Sequence, residues 1–220
     1  MKYYPINVDI TDKICVVLGG GRIAQRKVES LLKYKGAVTV ISPSLTPKLK
    51  ELQSLGKIKN VCREYQSGDI KDAFVVFCAT NDSNINKKAA EEAKKRGILF
   101  NVVDMPKMCN FIVPSVVQRG DLFISISTNG KSPALAKRIR KELEAAYGEE
   151  YALFLILMGA IREKLLLESS DSQKNSMTFY RLIDSDILDY VKKGKEEEVN
   201  RVLFDVLGEG YTLQELNIVF

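Results

Sequence analysis

The sequence predicts an α/β fold: a doubly wound parallel sheet, then a β-ribbon and helix segment, then an all-helical C-terminal region. Three observations predict it. From residue 14 to residue 104, short β-branched apolar runs alternate with amphipathic helical patterns, as in a sheet of parallel strands. Near residue 110 two β runs flank Arg119-Gly120-Asp121 and break that alternation. From Glu150 onward the apolar residues recur at helical spacing.

The first strand is Ile14 to Leu18, followed by Gly19-Gly20-Gly21. A helix follows directly, with Ala24, Val28, Leu31 and Leu32 on one face and Gly36 as its stop. Gly19, Gly21 and Ala24 fill a G-x-G-x-x-A fingerprint. In a strand–turn–helix setting, that spacing points to a dinucleotide, against the plainer reading of a glycine-rich turn with no ligand. The first glycine makes the tight turn, and the second lacks the Cβ that would block a pyrophosphate. The amides of Arg22 and Ile23 then stand at a helix N-terminus, where anions are favoured.

Val38 to Ile41 is a second strand, and Ser42, Pro43 and Ser44 after it are placed beside the adenosine ribose. An acidic residue there would mark NAD and an adjoining arginine NADP; Ser42 is neither, and both remain open on the residues alone. Thr46 to Leu55 reads as a short helix, and Ile58 to Cys62 as a third strand. Phe74 to Ala79 is a buried strand leading into Thr80-Asn81-Asp82. A helix from Asn84 to Arg96 stops at Gly97, and the strand Leu99 to Val103 ends at Asp104. Ligands of such sheets lie outside the C-terminal strand ends, so the glycine turn, Thr80-Asn81 and Asp104 are expected to converge.

Phe111 to Gln118 and Leu122 to Ser127 read as a hairpin. A lone two-stranded ribbon is unstable, so it is expected to extend the main sheet or to pair with a second subunit. Ser132 and Pro133 open a helix that carries Lys137, Arg138, Arg140 and Lys141 and ends at Gly148. Helices follow at 150–168, 174–183, 185–193 and 195–207, with Ser169 to Ser172 a loop or hinge and no clear pattern from Tyr211 to Phe220. The expected domains are 1–110, 111–148 and 149–220.

Composition narrows the chemistry. The chain of 220 residues contains no histidine, which excludes Ser-His-Asp and Cys-His catalysis and any His-ligated metal. Proton transfer must come from a carboxylate, Lys, Tyr, Cys or the substrate. Cys15, Cys62, Cys78 and Cys109 have no C-x-x-C spacing, so no disulfide framework or structural zinc is implied. Net charge is +5 without a long Lys/Arg block, compatible with an anionic ligand and not indicative of nucleic-acid binding. The longest apolar run, Tyr151 to Ile161, is too short to cross a bilayer. The N-terminus lacks an apolar signal region, so a cytoplasmic protein is expected.

Five motifs in order carry a resemblance: Gly19-Gly20-Gly21-x-x-Ala24 with Arg26-Lys27; Ala79-Thr80-Asn81-Asp82; Asn101-Val102-Val103-Asp104; Phe111-Ile112-Val113-Pro114-Ser115; and Gly130-Lys131-Ser132-Pro133 followed by Ala136. The chain resembles the precorrin-2 dehydrogenase/sirohydrochlorin ferrochelatase family, the N-terminal module of siroheme synthases. The likeness is strong over residues 1–148 and loose over the helical tail. At 220 residues, the methyltransferase domain that some members carry is expected to be absent. The resemblance implies a Rossmann-like domain, NAD as cofactor, precorrin-2 oxidised to sirohydrochlorin, and a homodimer joined through the segment after the first domain. Some members also insert ferrous iron, and the motifs do not decide that activity here.

Asp104 is the expected catalytic residue. It is an ionisable side chain at a strand's C-terminal end in the cofactor crevice, and the resemblance implies an essential aspartate there. With no histidine available, it is the natural acceptor of the proton that leaves with the hydride. The alternative is a solvated turn aspartate before Met105-Pro106, or a helix cap. Thr128 stands where some relatives have serine, and its role carries over only weakly; otherwise it is a loop residue leading to the Ser132 cap. Arg119, Lys131 and Lys137 are candidates for substrate carboxylates, against the plainer reading of a solvated basic face with Glu142 and Glu144 as partners. Cys109 reads as a core or loop cysteine rather than a metal ligand. Two other functions compete: an NAD(H)-sensing regulatory module without turnover, and a tetrapyrrole carrier or scaffold.

Overall fold

The computed structural model describes residues 3–168 and 171–219, which form two compact units divided between Val113 and Pro114. The first unit is the expected doubly wound sheet. Its strands are β1 (Ile14–Leu18), β2 (Ala37–Ile41), β3 (Lys59–Val61), β4 (Val75–Cys78) and β5 (Leu99–Val102). They lie in the order β3-β2-β1-β4-β5, all parallel. Helices α1 (Arg22–Lys33), α2 (Pro47–Ser54) and α3 (Ser83–Arg96) complete the unit.

Alternation along each strand splits the core in two. Cys15, Val17, Val38, Val40, Val75 and Phe77 pack with Ala24, Val28 and Leu31 of α1 and Leu49 of α2. Val16, Leu18, Val76, Cys78, Phe100 and Val102 pack with Ala89 and Ala93 of α3. The chain runs outward from β1 through β2 to β3, then returns to the other side of β1 for β4 and β5. The winding therefore reverses between β1 and β4, which opens the ligand crevice of such sheets at their C-terminal ends.

The second unit holds the ribbon and the helical tail. Strands β6 (Ser115–Arg119) and β7 (Leu122–Ile126) pair antiparallel as a sheet of their own. The first β run is thus shorter than expected. Phe111 packs edge-on against Phe77 in the first unit's core, and Pro114 has no amide for a ladder. Of the two expected fates of the ribbon, extension of the main sheet does not occur among the described residues.

Helix α4 (Pro133–Ala146) follows, capped by the Ser132 hydroxyl, which accepts the Leu135 amide. Helices α5 (Glu150–Glu168), α6 (Ser172–Ile183), α7 (Ile187–Lys192) and α8 (Glu196–Leu207) share one core built on Leu157, Ile161, Leu182, Ile187 and Leu203. The expected hinge needs correcting: Ser169 and Ser170 lie outside the described residues, Asp171 caps α6 through the Gln173 and Lys174 amides, and Ser172 is helical. The tail that showed no pattern returns to the core, burying Tyr211, Leu213 and Leu216.

Candidate active site

The glycine turn is held from both sides. The Gly19 amide donates to the Ile41 carbonyl at 2.9 Å, and the Ala79 amide donates to the Leu18 carbonyl at 2.8 Å. Gly19 has a positive φ of 107°, and a Cβ there would stand 2.5 Å from the Ala79 carbonyl oxygen. A Cβ at Gly20 would stand 1.9 Å from the Ser44 carbonyl oxygen. Gly21 differs: its φ is −81°, an ordinary value, and nothing lies within 4 Å of a Cβ built on it. Neither backbone strain nor packing within the protein calls for glycine at this position. Glycine is favoured at an N-cap, and its lack of a Cβ also leaves the start of α1 open for a pyrophosphate to approach. The residues present therefore fit a dinucleotide. Arg22 and Ile23, exposed at this helix start, have no acidic residue beside them in the first turn.

The loop after β2 is more closed than its sequence suggests. Ser42 is buried, and its hydroxyl donates to the Ser44 carbonyl at 2.8 Å. Ser42 thus shapes the loop from within, leaving Pro43 and Ser44 exposed. The loop returns to the glycine turn, where the Thr46 amide donates to the Gly20 carbonyl at 3.0 Å.

After β4, Thr80 is gripped by Asn86 of α3. The Thr80 hydroxyl donates to Asn86 Oδ1 at 3.3 Å, and Asn86 Nδ2 donates to the Thr80 carbonyl at 3.2 Å. Asp82 caps α3 by accepting the Asn84 and Ile85 amides at 2.7 and 3.2 Å, which leaves Asn81 exposed at the tip. Sequence reasoning missed Asn86 and the tight fit of Gly20. Asn86 had a signal: it is a polar residue three and seven positions before Ala89 and Ala93 on the buried stripe.

Asp104 follows the last ladder position of β5 by two residues. The Val103 amide donates to the Cys78 carbonyl at 3.0 Å, and Asp104 then turns with a positive φ of 60°. Its side chain is exposed. Because β4 lies between β1 and β5, two strand spacings separate Asp104 from the glycine turn, roughly 10 Å. The three strand ends thus stand in a row along one edge of the sheet, as the topology requires.

The segment beyond Asp104 returns to hold the backbone of β5. Cys109 Sγ accepts the Val102 amide at 3.2 Å, and Asn110 accepts the Phe100 amide at 2.7 Å while donating to the Ile98 carbonyl at 2.8 Å. These side chains satisfy the open edge of β5. Cys109 is buried, as expected of a core cysteine. Burial pushes the Cys78 thiol well up, with Cys109 adding to the shift, and burial alone raises Cys15 to about 11. No group of three or more Cys, Asp or Glu able to hold a metal occurs among the described residues.

The remaining candidates lie in the second unit. Thr128 opens a tight turn: its carbonyl accepts the Lys131 amide at 3.0 Å, and its hydroxyl accepts the Ser132 amide at 3.1 Å. Lys131 and Lys137 are exposed. Arg119 is taken up within its own unit, paired with Glu149 at 3.2 Å and donating to the Gln118 and Glu144 carbonyls. Arg138 pairs with Glu142 and Arg140 with Glu144, so the basic helix is largely self-compensated.

Comparison with known proteins agrees with this geometry. A family described as putative NAD(P)-binding matches residues 6–115, and one described as sirohaem biosynthesis protein central matches residues 119–146. The siroheme synthase of Vesicomyosocius okutanii subsp. Calyptogena okutanii is 36% identical over 198 residues, covering 90% of this chain and 42% of the relative. That of Ruthia magnifica is 35% identical over 220 residues, covering 100% and 46%. The chain spans less than half the length of these relatives. A solved structure titled SirC, precorrin-2 dehydrogenase, superimposes with a TM-score of 0.74 at 26% identity, covering 90% of this chain and all of that one. No helix among the described residues is long and apolar enough to cross a membrane. With half of its residues inside the first family and the second family following in order, the chain belongs to the putative NAD(P)-binding family, in the form that siroheme synthases also contain.

Proposed function

We propose that this chain oxidises precorrin-2 to sirohydrochlorin with NAD. The observation that carries the reading is Gly21, which caps α1 and leaves the helix start open to a ligand, with nothing within 4 Å of where a Cβ would stand. The likeness to SirC and to siroheme synthases supplies the substrate. NAD is preferred to NADP on the resemblance to precorrin-2 dehydrogenases, since Ser42 itself decides neither.

When bound, the nicotinamide ring supplies the hydride acceptor. The protein's part is to hold the two reactants and to remove a proton. Gly19, Gly21 and the Arg22 and Ile23 amides seat the pyrophosphate; Pro43 and Ser44 border the adenosine; Thr80 and Asn81 border the nicotinamide ribose. Asp104, exposed at the end of β5, accepts the proton that the macrocycle loses with its hydride. Thr128, Lys131 and Lys137 are exposed or half-exposed and are assigned to the substrate's carboxylates. Arg119 is left out, because its guanidinium is engaged within its own unit.

The division of labour follows: residues 1–110 bind the cofactor, 111–148 join two copies, and 149–220 form the helical region. The ribbon supports the homodimer, since each of its two strands leaves one edge unpaired. Four free thiols, one of them exposed, fit the reducing cytoplasm.

The test is anaerobic turnover of precorrin-2 with NAD by wild type and Asp104→Ala, followed by tetrapyrrole absorbance, with ferrous iron added after the first phase. Oxidation by wild type alone supports the reading, and a second enzyme-dependent phase would add iron insertion. NAD binding without oxidation would reject the enzyme in favour of a sensor or carrier.

A further inference from the structure

Helix α1 turns Ala24, Val28 and Leu31 into the core, and Lys27 stands at the edge of that stripe. Its side chain is half-buried, with Nζ 5.1 Å from the centroid of the Phe77 ring. Phe77 is in register with Asn101 on β5, each one residue short of its strand's C-terminal end. Residues in register share a face of the sheet. On that face the Phe77 and Phe111 rings meet at 5.5 Å, and the Asn101 amide donates to the Phe111 carbonyl at 3.1 Å. An ammonium, a carboxamide and two aromatic rings therefore sit together just below the crevice.

Among the described residues the ammonium has no counter-charge. No carboxylate pairs with it among the described residues, and the one charge acting on it is Arg26, of its own sign. Burial, then Arg26, hold its pKa below the ordinary amine range. A ring face attracts a cation without neutralising it, and a half-buried cation is costly until an anion arrives. Helical side chains lean toward the helix N-terminus, which here is the glycine turn, so the ammonium is directed toward the ligand edge. The pyrophosphate has its own site at the Arg22 and Ile23 amides. Lys27 lies five residues further on, about 7.5 Å along the helix, on the side of β4.

We propose that Lys27 is a substrate-binding residue, its ammonium pairing with one peripheral carboxylate of the tetrapyrrole beside the Phe77–Phe111 pair. The assignment rests on the function proposed above and adds a contact that the fingerprint of the fold does not require.

The test uses the full chain as wild type, Lys27→Met and Lys27→Arg. Methionine keeps an apolar stem on Phe77 and removes the charge. Three quantities are measured: sirohydrochlorin affinity by absorbance titration, NADH affinity by fluorescence, and the KM and kcat of NAD-dependent precorrin-2 oxidation. The expected result for Lys27→Met is a loss of about tenfold or more in sirohydrochlorin affinity and a matching rise in precorrin-2 KM. NADH affinity and kcat stay near wild type, and Lys27→Arg recovers most of the loss. Unchanged sirohydrochlorin affinity overturns the assignment. Weakened NADH binding with intact tetrapyrrole binding also overturns it, making Lys27 a cofactor residue. If wild type itself neither binds nor oxidises the tetrapyrrole, the proposed function fails, and this assignment falls with it.

Discussion

Thr46 donates its backbone amide to the carbonyl of Gly20 at 3.0 Å, and its side-chain hydroxyl donates to Gln25 of α1 at 2.8 Å. One residue at the start of α2 thus ties the glycine turn to the loop after β2. The turn is a rigid seat, and its three glycines serve different ends.

Those ends separate by mutation. At Gly20, an alanine Cβ would press on the Ser44 carbonyl, a backbone atom that cannot step aside. Gly20→Ala is expected to destabilise the fold by about 1–3 kcal/mol or more, read as a lower urea midpoint. Gly21→Ala meets open space and costs at most about 0.5–1 kcal/mol as a poorer N-cap. NADH affinity should nevertheless fall by about tenfold or more. Equal destabilisation by the two substitutions would contradict this division.

Asp104→Asn keeps the size of the side chain and tolerates the positive φ of 60° at this position. It cannot accept a proton. Turnover is expected to fall by about 10²–10⁴-fold with NADH binding intact. A variant retaining most of the wild-type kcat would remove Asp104 from the chemistry.

Asn86 is buried against Thr80. Asn86→Ala leaves the Thr80 carbonyl without that partner and should cost about 1–3 kcal/mol of stability. It should also weaken NADH binding, because the loop after β4 loses its brace. Calorimetry with and without NADH checks both, and an unchanged ligand-induced rise in Tm would confine Asn86 to a purely structural part.

Glu92 supplies a pH dependence remote from the crevice. Burial pushes its carboxyl pKa up, but the Tyr65 hydroxyl at 2.6 Å, the Gly68 amide at 2.9 Å and Arg96 at 3.0 Å outweigh this and leave it lowered. A group whose folded pKa is lowered adds stability above its unfolded pKa and loses it as pH falls through the folded value. Wild type should therefore exceed Glu92→Gln in urea midpoint at neutral pH, and the gap should close on acidification below the ordinary carboxylate range. A gap independent of pH would show that the charge of Glu92 contributes nothing.

Sheet, crevice and Asp104 were legible because each rests on local pattern: β-branched runs, glycine spacing, and an acid at a strand's end. What escaped depends on contacts between distant segments. The tight fit of Gly20 arises only when the loop after β2 folds back onto the turn. Cys109 and Asn110 look like loop residues until their side chains are seen to satisfy the open edge of β5. Arg119 reads as a candidate for substrate carboxylates because its partner Glu149 lies thirty residues away in sequence. The tail has no period to read, since Tyr211, Leu213 and Leu216 reach the core from irregular turns, with the Tyr211 hydroxyl donating to Glu168 at 2.5 Å.

The most direct measurement is the anaerobic stoichiometry of a single turnover, with the NADH formed counted against the sirohydrochlorin formed. One NADH per macrocycle, formed far more slowly by Asp104→Asn at any NAD concentration and by Gly21→Ala at sub-saturating NAD, for the separate reasons of proton transfer and cofactor binding, is the predicted result. Sirohydrochlorin formed at an undiminished rate without NAD, or no sirohydrochlorin formed by a wild type that binds NAD, would contradict the account.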